Sequence, residues 1–153
     1  DPVGLDFSAG MLAAASTDAP LIRADALRLP VLGRSVDGIT CGFALRNLTD
    51  LTCFFEETSR VLKPGGRIAL LDVAEPPNPI LRMGHRIYFG KIVPRIGALF
   101  SDQNAYKYLP KSVEYLPHPH DLLAGLRAVG FSDASRTLLG GGITQLFVGT
   151  LDR

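Results

Sequence analysis

Gly42-Phe43-Ala44-Leu45-Arg46-Asn47-Leu48-Thr49-Asp50, followed by Arg60-Val61-Leu62-Lys63-Pro64-Gly65-Gly66, is the stretch around which the rest of the chain falls into order. Leading into it, the apolar run from Val36 to Phe43 reads as a buried strand. Thr49 or Asp50 can cap the helix that follows, because a short oxygen-bearing side chain accepts a hydrogen bond from the free amides of the first turn. Lys63-Pro64-Gly65-Gly66 closes that helix before a second apolar run, Arg67 to Val73. The result is a strand-helix-strand unit. Arg46 and Asn47 fall in the loop just past the carboxyl end of the first strand, where an open parallel sheet places its ligands.

The alternation extends outward from this unit. Val3 to Leu5 reads as the end of a strand, Ala9 to Ser16 as a helix, Leu21 to Ala24 as a short strand, and Leu29-Pro30 with Gly33 as a turn. Downstream, Glu75-Pro76-Pro77-Asn78-Pro79 stops regular structure, since proline lacks an amide hydrogen and restricts the residue before it. From Ile80 to Val113 the pattern gives way to an insert rich in aliphatic and aromatic residues, predicted as two or three helices forming a cap at 78–116. Asp121 to Val129 is predicted as a helix closed by Gly130. Phe131 to Leu139 and Ile143 to Leu151 then form an antiparallel hairpin across Gly140-Gly141-Gly142. The fold class is α/β, a mostly parallel sheet ending in an antiparallel hairpin.

Composition narrows the function classes. With 46% hydrophobic and 20% charged residues over 153 positions, the chain is no disordered segment and fits one domain. Sixteen Lys and Arg against fifteen Asp and Glu leave a net charge of +1, which makes no electrostatic case for nucleic acid. Cys41, in a strand, and Cys53, in a helix, have neither disulfide nor metal-site spacing and read as reduced core residues. His118 and His120 lie in Pro117-His118-Pro119-His120-Asp121, an extended linker into a helix cap, and no further cluster completes a metal site. No apolar run reaches the ~18 residues of a spanning helix, and Asp1-Pro2 begins no secretory signal, so the expectation is a cytoplasmic protein.

Taken together, Leu45-Arg46-Asn47, the Lys63-Pro64-Gly65-Gly66 turn, Gly4 to Leu12, Arg23 to Pro30, Pro94-Arg95-Ile96-Gly97 and Tyr106 to Val113 resemble the quinone-biosynthesis C-methyltransferases, the UbiE/MenG/Coq5 group. The resemblance covers nearly the whole chain. It implies a class I methyltransferase fold, Rossmann-like, with S-adenosyl-L-methionine as cofactor and demethylmenaquinol or another polyprenyl quinol as substrate. Proteins of this group open with a strand and a glycine-rich loop that cradles the methionine end of the cofactor, and nothing before Gly4 resembles them. Residues 1–153 are therefore expected to be a partial methyltransferase domain that lacks the first strand and is not competent alone. Since that strand lies between the second and fourth in the group's sheet, the expected sheet is divided, with unpaired edges open to strand exchange or a homodimer.

The resemblance also assigns residues. Asp6 ends the second strand of the group's sheet, where a carboxylate can accept both ribose hydroxyls, and Phe7 beside it belongs to the same cofactor site; the competing reading of Asp6 is a helix cap. Asp25 and the Ala26 amide are placed at the adenine, against a plain turn as the alternative. Gly42 stands where the group often has a small polar residue, so a backbone contact to the cofactor remains and a hydroxyl does not.

The chemistry follows from the substrate class. A ring carbon becomes nucleophilic when a quinol hydroxyl loses its proton, and a phenol titrates near pH ~10, so neutral pH requires a nearby cation or base. Arg46, whose guanidinium is a fixed cation and so a poor base, can stabilise phenolate or lower the pKa of a bound water, and Asn47 can orient that water or the quinol oxygen. An ion pair of Arg46 with Asp50 and a capping role for Asn47 are the structural alternatives. Tyr106 and Tyr108 are placed beside the quinol ring and His85 near the substrate as a base, each against simple packing. The apolar cap suits a polyprenyl tail, and its interleaved Arg86, Lys91 and Arg95 suit peripheral contact with the inner membrane face. Two other functions stay open: methylation of a different hydrophobic phenol, and a noncatalytic quinone-binding or interaction module.

Overall fold

Asp50 caps the helix at the centre of the chain, its carboxylate accepting the Cys53 amide at 2.9 Å. The computed structural model describes residues 1–76 and 116–152. His85, Tyr106, Tyr108 and the predicted cap, except Leu116, lie outside the described residues. In chain order the elements are β1 (Gly4–Asp6), α1 (Ala9–Ala14), β2 (Leu21–Arg23), β3 (Val36–Gly42), a 3-10 turn (Leu45–Asn47), α2 (Leu51–Val61), β4 (Leu62–Val73), α3 (Pro119–Ala128), β5 (Ser135–Leu139), a second 3-10 turn (Gly140–Gly142) and β6 (Thr144–Thr150).

Each central element follows from its residue pattern. Along α2 the residues Phe54, Phe55, Thr58 and Val61 return to one face and are buried there. Along β4, Ile68, Leu70 and Asp72 are buried while Ala69, Leu71 and Val73 alternate with them toward partial exposure. Register places Leu70 opposite Phe147 and Asp72 opposite Gln145 on β6, so the buried face continues from strand to strand. Leu45, Phe54, Phe55, Leu70, Leu122, Leu126, Phe131 and Phe147 share one core between that face and the two helices. Burying each large side chain contributes about 1.5–3 kcal/mol. Gly125 lets α3 approach α2 closely, because a Cβ there would lie 2.8 Å from the Phe55 ring.

Several boundaries differ from the sequence expectation: α1 ends at Ala14 rather than Ser16, and β5 begins at Ser135 rather than Phe131, because residues 131–134 form a turn in which Ala134 N donates to Phe131 O at 3.0 Å. β4 begins at Leu62 rather than Arg67, since Leu62 pairs with Val36 and the register then shifts before Gly38 meets Arg67. Gly65, at φ 78°, absorbs the turn inside that irregularity. α3 starts at Pro119, two residues earlier than expected, because proline suits a helix's first position and His118 takes the cap, its ring nitrogen accepting the His120 amide.

The sheet is divided as expected. β3, β4, β6 and β5 form one four-stranded sheet in that order, β3 and β4 parallel and the hairpin antiparallel; β1 and β2 form a separate parallel pair. The loop after β2 is fastened to α2. Glu57 Oε1 accepts the Leu29 amide at 2.6 Å, and Arg60 Nη2 donates to the carbonyls of Leu29 and Val31 at 3.2 and 3.0 Å. Arg60 also holds the Glu57 carboxyl below its ordinary value of 4.5.

Candidate functional site

The carboxyl ends of the parallel strands carry the residues singled out above. β3 stops at Gly42, where an added Cβ would meet nothing within 4 Å, so the position borders open space rather than packed core. Phe43 then adopts φ 57°, a left-handed conformation that is strained for a bulky side chain and that turns the chain off the sheet. Its amide still reaches Leu71 O at 2.7 Å, and Asn47 N donates to Ala44 O at 2.9 Å to close the 3-10 turn. Leu45, 1% exposed, pegs that turn into the core.

This geometry sends Arg46 back across the strand ends. Its Nη1 donates to Asp72 Oδ1 at 2.6 Å, and its guanidinium carbon lies 5.8 Å from the centre of the Phe43 ring. Asp50, the alternative partner, is occupied as the α2 cap. The Arg46 side chain is 10% exposed and that of Asp72 is fully buried. Asp72 Oδ1 also accepts the Val73 amide at 2.8 Å, whereas Oδ2 is buried without a hydrogen-bond partner among the described residues. A buried carboxylate oxygen left unpaired is costly and marks a place where a donor is wanted. Burial, and then the charge of Asp72, push the Cys41 thiol above its ordinary value.

Asp72 was not singled out from the sequence. The signal was present: Ile68, Leu70 and Asp72 share strand parity, so a carboxylate falls on the buried side at the carboxyl end of a strand. Beside it, Gln145 is similarly buried and bonded at both ends of its amide, with Nε2 donating to Val73 O and Oε1 accepting from Arg136 Nε, both at 2.7 Å. Burial lowers the Arg136 pKa. A cavity of about 380 Å³ begins at Gln145 and Arg136 and is bounded by Val73, Glu75 and His118.

Asp6 and Asp25 fall at the same ends of β1 and β2, which run parallel, with Ala24 N donating to Asp6 O at 3.1 Å just beyond the paired segment. Asp6 Oδ1 accepts the Ser8 amide, and the α1 cap is Ser8 itself, which accepts the Met11 amide. The other Asp6 oxygen has no hydrogen bond among the described residues. Phe7, 69% exposed, lies beside Arg23, whose Nε donates to Phe7 O at 3.0 Å. Asp25 closes an Asx turn onto the Leu27 amide at 2.9 Å, and Ala26 packs against the core. Asn47 is exposed. Among the described residues no group of three or more His, Cys, Asp or Glu is arranged to hold a metal ion.

Comparison with known proteins places this geometry. Residues 3–151 match the profile of the ubiE/COQ5 methyltransferase family. A demethylmenaquinone methyltransferase of Roseiflexus sp. (strain RS-1) is 42% identical over 96% of this chain and 64% of its own length. The ubiquinone/menaquinone biosynthesis C-methyltransferase UbiE of Syntrophotalea carbinolica is 38% identical over 96% and 65%. The chain thus spans about two thirds of these relatives' length. A SAM-dependent methyltransferase from Thermotoga maritima superposes with a TM-score of 0.67 at 18% identity, over 97% of this chain and 72% of that one, which establishes the Rossmann-like class I methyltransferase fold. With its carboxyl-terminal hairpin, its strand-end loop and the match over nearly all its length, the chain belongs to the ubiE/COQ5 methyltransferase family.

Proposed function

We propose that the protein carrying this chain is an S-adenosylmethionine-dependent C-methyltransferase of quinone biosynthesis, acting on demethylmenaquinol or a related polyprenyl quinol. The observation that carries the reading is the Arg46 guanidinium, held by Asp72 at the carboxyl ends of β3 and β4, in a chain 42% identical to a demethylmenaquinone methyltransferase. The residues at the ends of β1 and β2 suit the cofactor: one Asp6 oxygen is committed to the Ser8 amide and the other is open to a ribose hydroxyl, and Phe7, Asp25, Ala26 and Gly42 are assigned to the same cofactor. When bound, S-adenosylmethionine supplies an electrophilic methyl group.

The chain's own residues do the rest. Arg46 stabilises the oxygen that gains charge as the ring carbon becomes nucleophilic, and Asn47 orients that oxygen or a water. Preorganised donors of this kind contribute about 2.7–4 kcal/mol each to lowering a barrier. The segment 78–116, with Tyr106, Tyr108 and His85, is read as a cap over the ring and the lipid tail that also brings the protein against the inner membrane face. Among the described residues no helix is long and apolar enough to cross a membrane.

The test uses the complete encoded protein, labelled S-adenosylmethionine and a reduced demethylmenaquinone of short tail. Arg46→Ala should lower turnover ~100-fold or more while leaving S-adenosylhomocysteine affinity, read by calorimetry, nearly unchanged. Unaffected turnover removes Arg46 from the mechanism; absence of any methylated quinone from the native protein overturns the assignment.

A further inference from the structure

The contact between Arg46 and Asp72 is single-pronged. Nη1 donates to Oδ1, and among the described residues the guanidinium makes no other hydrogen bond; a forked pair would engage both carboxylate oxygens, and Oδ2 is not engaged. One bond fixes a single point of the guanidinium and lets its plane swing about that point. A second contact has to set the direction of the remaining N–H groups. The Phe43 ring supplies one, since the guanidinium carbon lies over it at 5.8 Å from its centre. That ring is brought there by a strained backbone: Phe43 stands at φ 57°, and its amide, bonded to Leu71 O at 2.7 Å, ties the turn to the sheet. Glycine would adopt this conformation without strain. Nor is the ring a core element, being 43% exposed where the Arg46 side chain is 10% exposed. Packing alone does not account for a half-exposed ring carried by a strained residue onto a nearly buried cation.

We propose that Phe43 is a positioning residue for the methyl-transfer site, its ring fixing the plane of the Arg46 guanidinium so that the N–H groups Asp72 leaves free are aimed before substrate arrives. This inference rests on the reading of Arg46 given above. An aromatic face attracts a cation without taking its N–H donors, whereas a second carboxylate would occupy them. The ring also replaces water beside the guanidinium, and a charge screened less by water acts more strongly on an oxygen that is gaining charge. Donors whose direction is set in advance stabilise such an oxygen with no reorganisation at the moment of reaction. Phe43 itself need touch no reacting atom. Asp72 holds one corner of the guanidinium and Phe43 sets its tilt.

Two variants without the ring, opposite in their effect on the backbone, test this in the complete encoded protein. Phe43→Leu keeps the strain and an apolar side chain, while Phe43→Asn eases the strain, because asparagine enters the left-handed region readily. Both should lower kcat ~10-fold and change KM for the short-tailed quinol less than ~2-fold. Phe43→Tyr, which restores an aromatic face, should recover most of that loss. In an Arg46→Ala background the same substitutions should change turnover less than ~2-fold, since a residue that acts through another has nothing left to act on. Nitrogen-15 relaxation of the Arg46 Nε–H reads the same role with no turnover: its order should fall in Phe43→Leu and Phe43→Asn and stay native in Phe43→Tyr. Circular dichroism melts confirm folding; should Phe43→Leu not fold, Phe43→Asn decides, and failure of both marks the ring as structural and overturns the proposal. Equal loss with and without Arg46, loss in Phe43→Leu but not in a folded Phe43→Asn, no rescue by Phe43→Tyr, or unchanged Arg46 order overturns it as well. A native protein that methylates no quinol would sink the methyltransferase assignment, and the relaxation measurement then decides the positioning role by itself.

Discussion

Two ion pairs, one on α2 and one at the strand ends that precede and follow it, are built differently. Glu57 and Arg60 fasten the loop after β2, and every carboxylate oxygen is used: Oε1 accepts from Leu29 N and Arg60 Nη2, Oε2 from Arg60 Nε. The Arg46–Asp72 pair at the ends of β3 and β4 is more deeply buried, at 10% and 0% side-chain exposure against 43% and 12%, yet leaves one oxygen unused. A pair that only braces a loop saturates its acceptors. The pair with an acceptor to spare is the one placed beside a strained residue and an aromatic ring, at the strand ends where an open parallel sheet places its ligands.

The contrast can be broken most severely at Asp72. Asp72→Ala removes one partner from a buried pair and should destabilise the protein by about 3–5 kcal/mol, whereas Arg46→Met combined with Asp72→Leu should regain most of that stability. Urea midpoints decide; a double variant as unstable as Asp72→Ala would mean that the pair, despite its idle oxygen, is structural like the other. Next in size, Asp6→Ala should weaken S-adenosylhomocysteine binding by about 1.5–3 kcal/mol, the range for a hydrogen bond to a charged group. Asp6 shares with Asp72 one committed and one open oxygen, so unchanged calorimetric affinity would show that an open oxygen alone does not mark a ligand contact.

Smaller effects belong to the saturated pair. Glu57→Gln should cost about 1 kcal/mol, since it loses part of two charge-assisted contacts near the surface, and should shift the melting temperature without lowering turnover tenfold. The pH dependence has a definite sign. Arg60 holds the folded-state pKa of Glu57 below its ordinary 4.5, so its contribution is fully present above that value and is lost as pH falls through the depressed folded value. Acid titration of stability should show this loss in the native protein, and Glu57→Gln should flatten that part of the curve.

Much of this arrangement was legible from residue order. The run to Gly42, the cap at Asp50 and the parity of Ile68 and Leu70 dictate strand, helix and strand, and Arg46 falls at the strand end by position alone. Its partner does not follow from local pattern. Asp50 is four residues away and was the local alternative, but it is spent on the helix amides, and the guanidinium crosses to Asp72, 26 residues distant. Parity marks Asp72 as buried without saying what it meets, and only the register of β4 against β6 brings Gln145 beside it. The early start of β4 was missed for a related reason: a lysine-proline-glycine-glycine turn looks like a terminator until Leu62 finds Val36.

The division of the sheet has a consequence for how the molecule opens. β4 is bonded along both sides, to β3 and β6, whereas β1 and β2 hold each other through three residue pairs and expose most of their side chains. Amide hydrogens on these segments should therefore exchange with deuterated solvent on separate clocks. Those of β1 and β2 are released by a local opening of small free energy, while those of Ile68 to Leu71 wait for the whole domain to unfold.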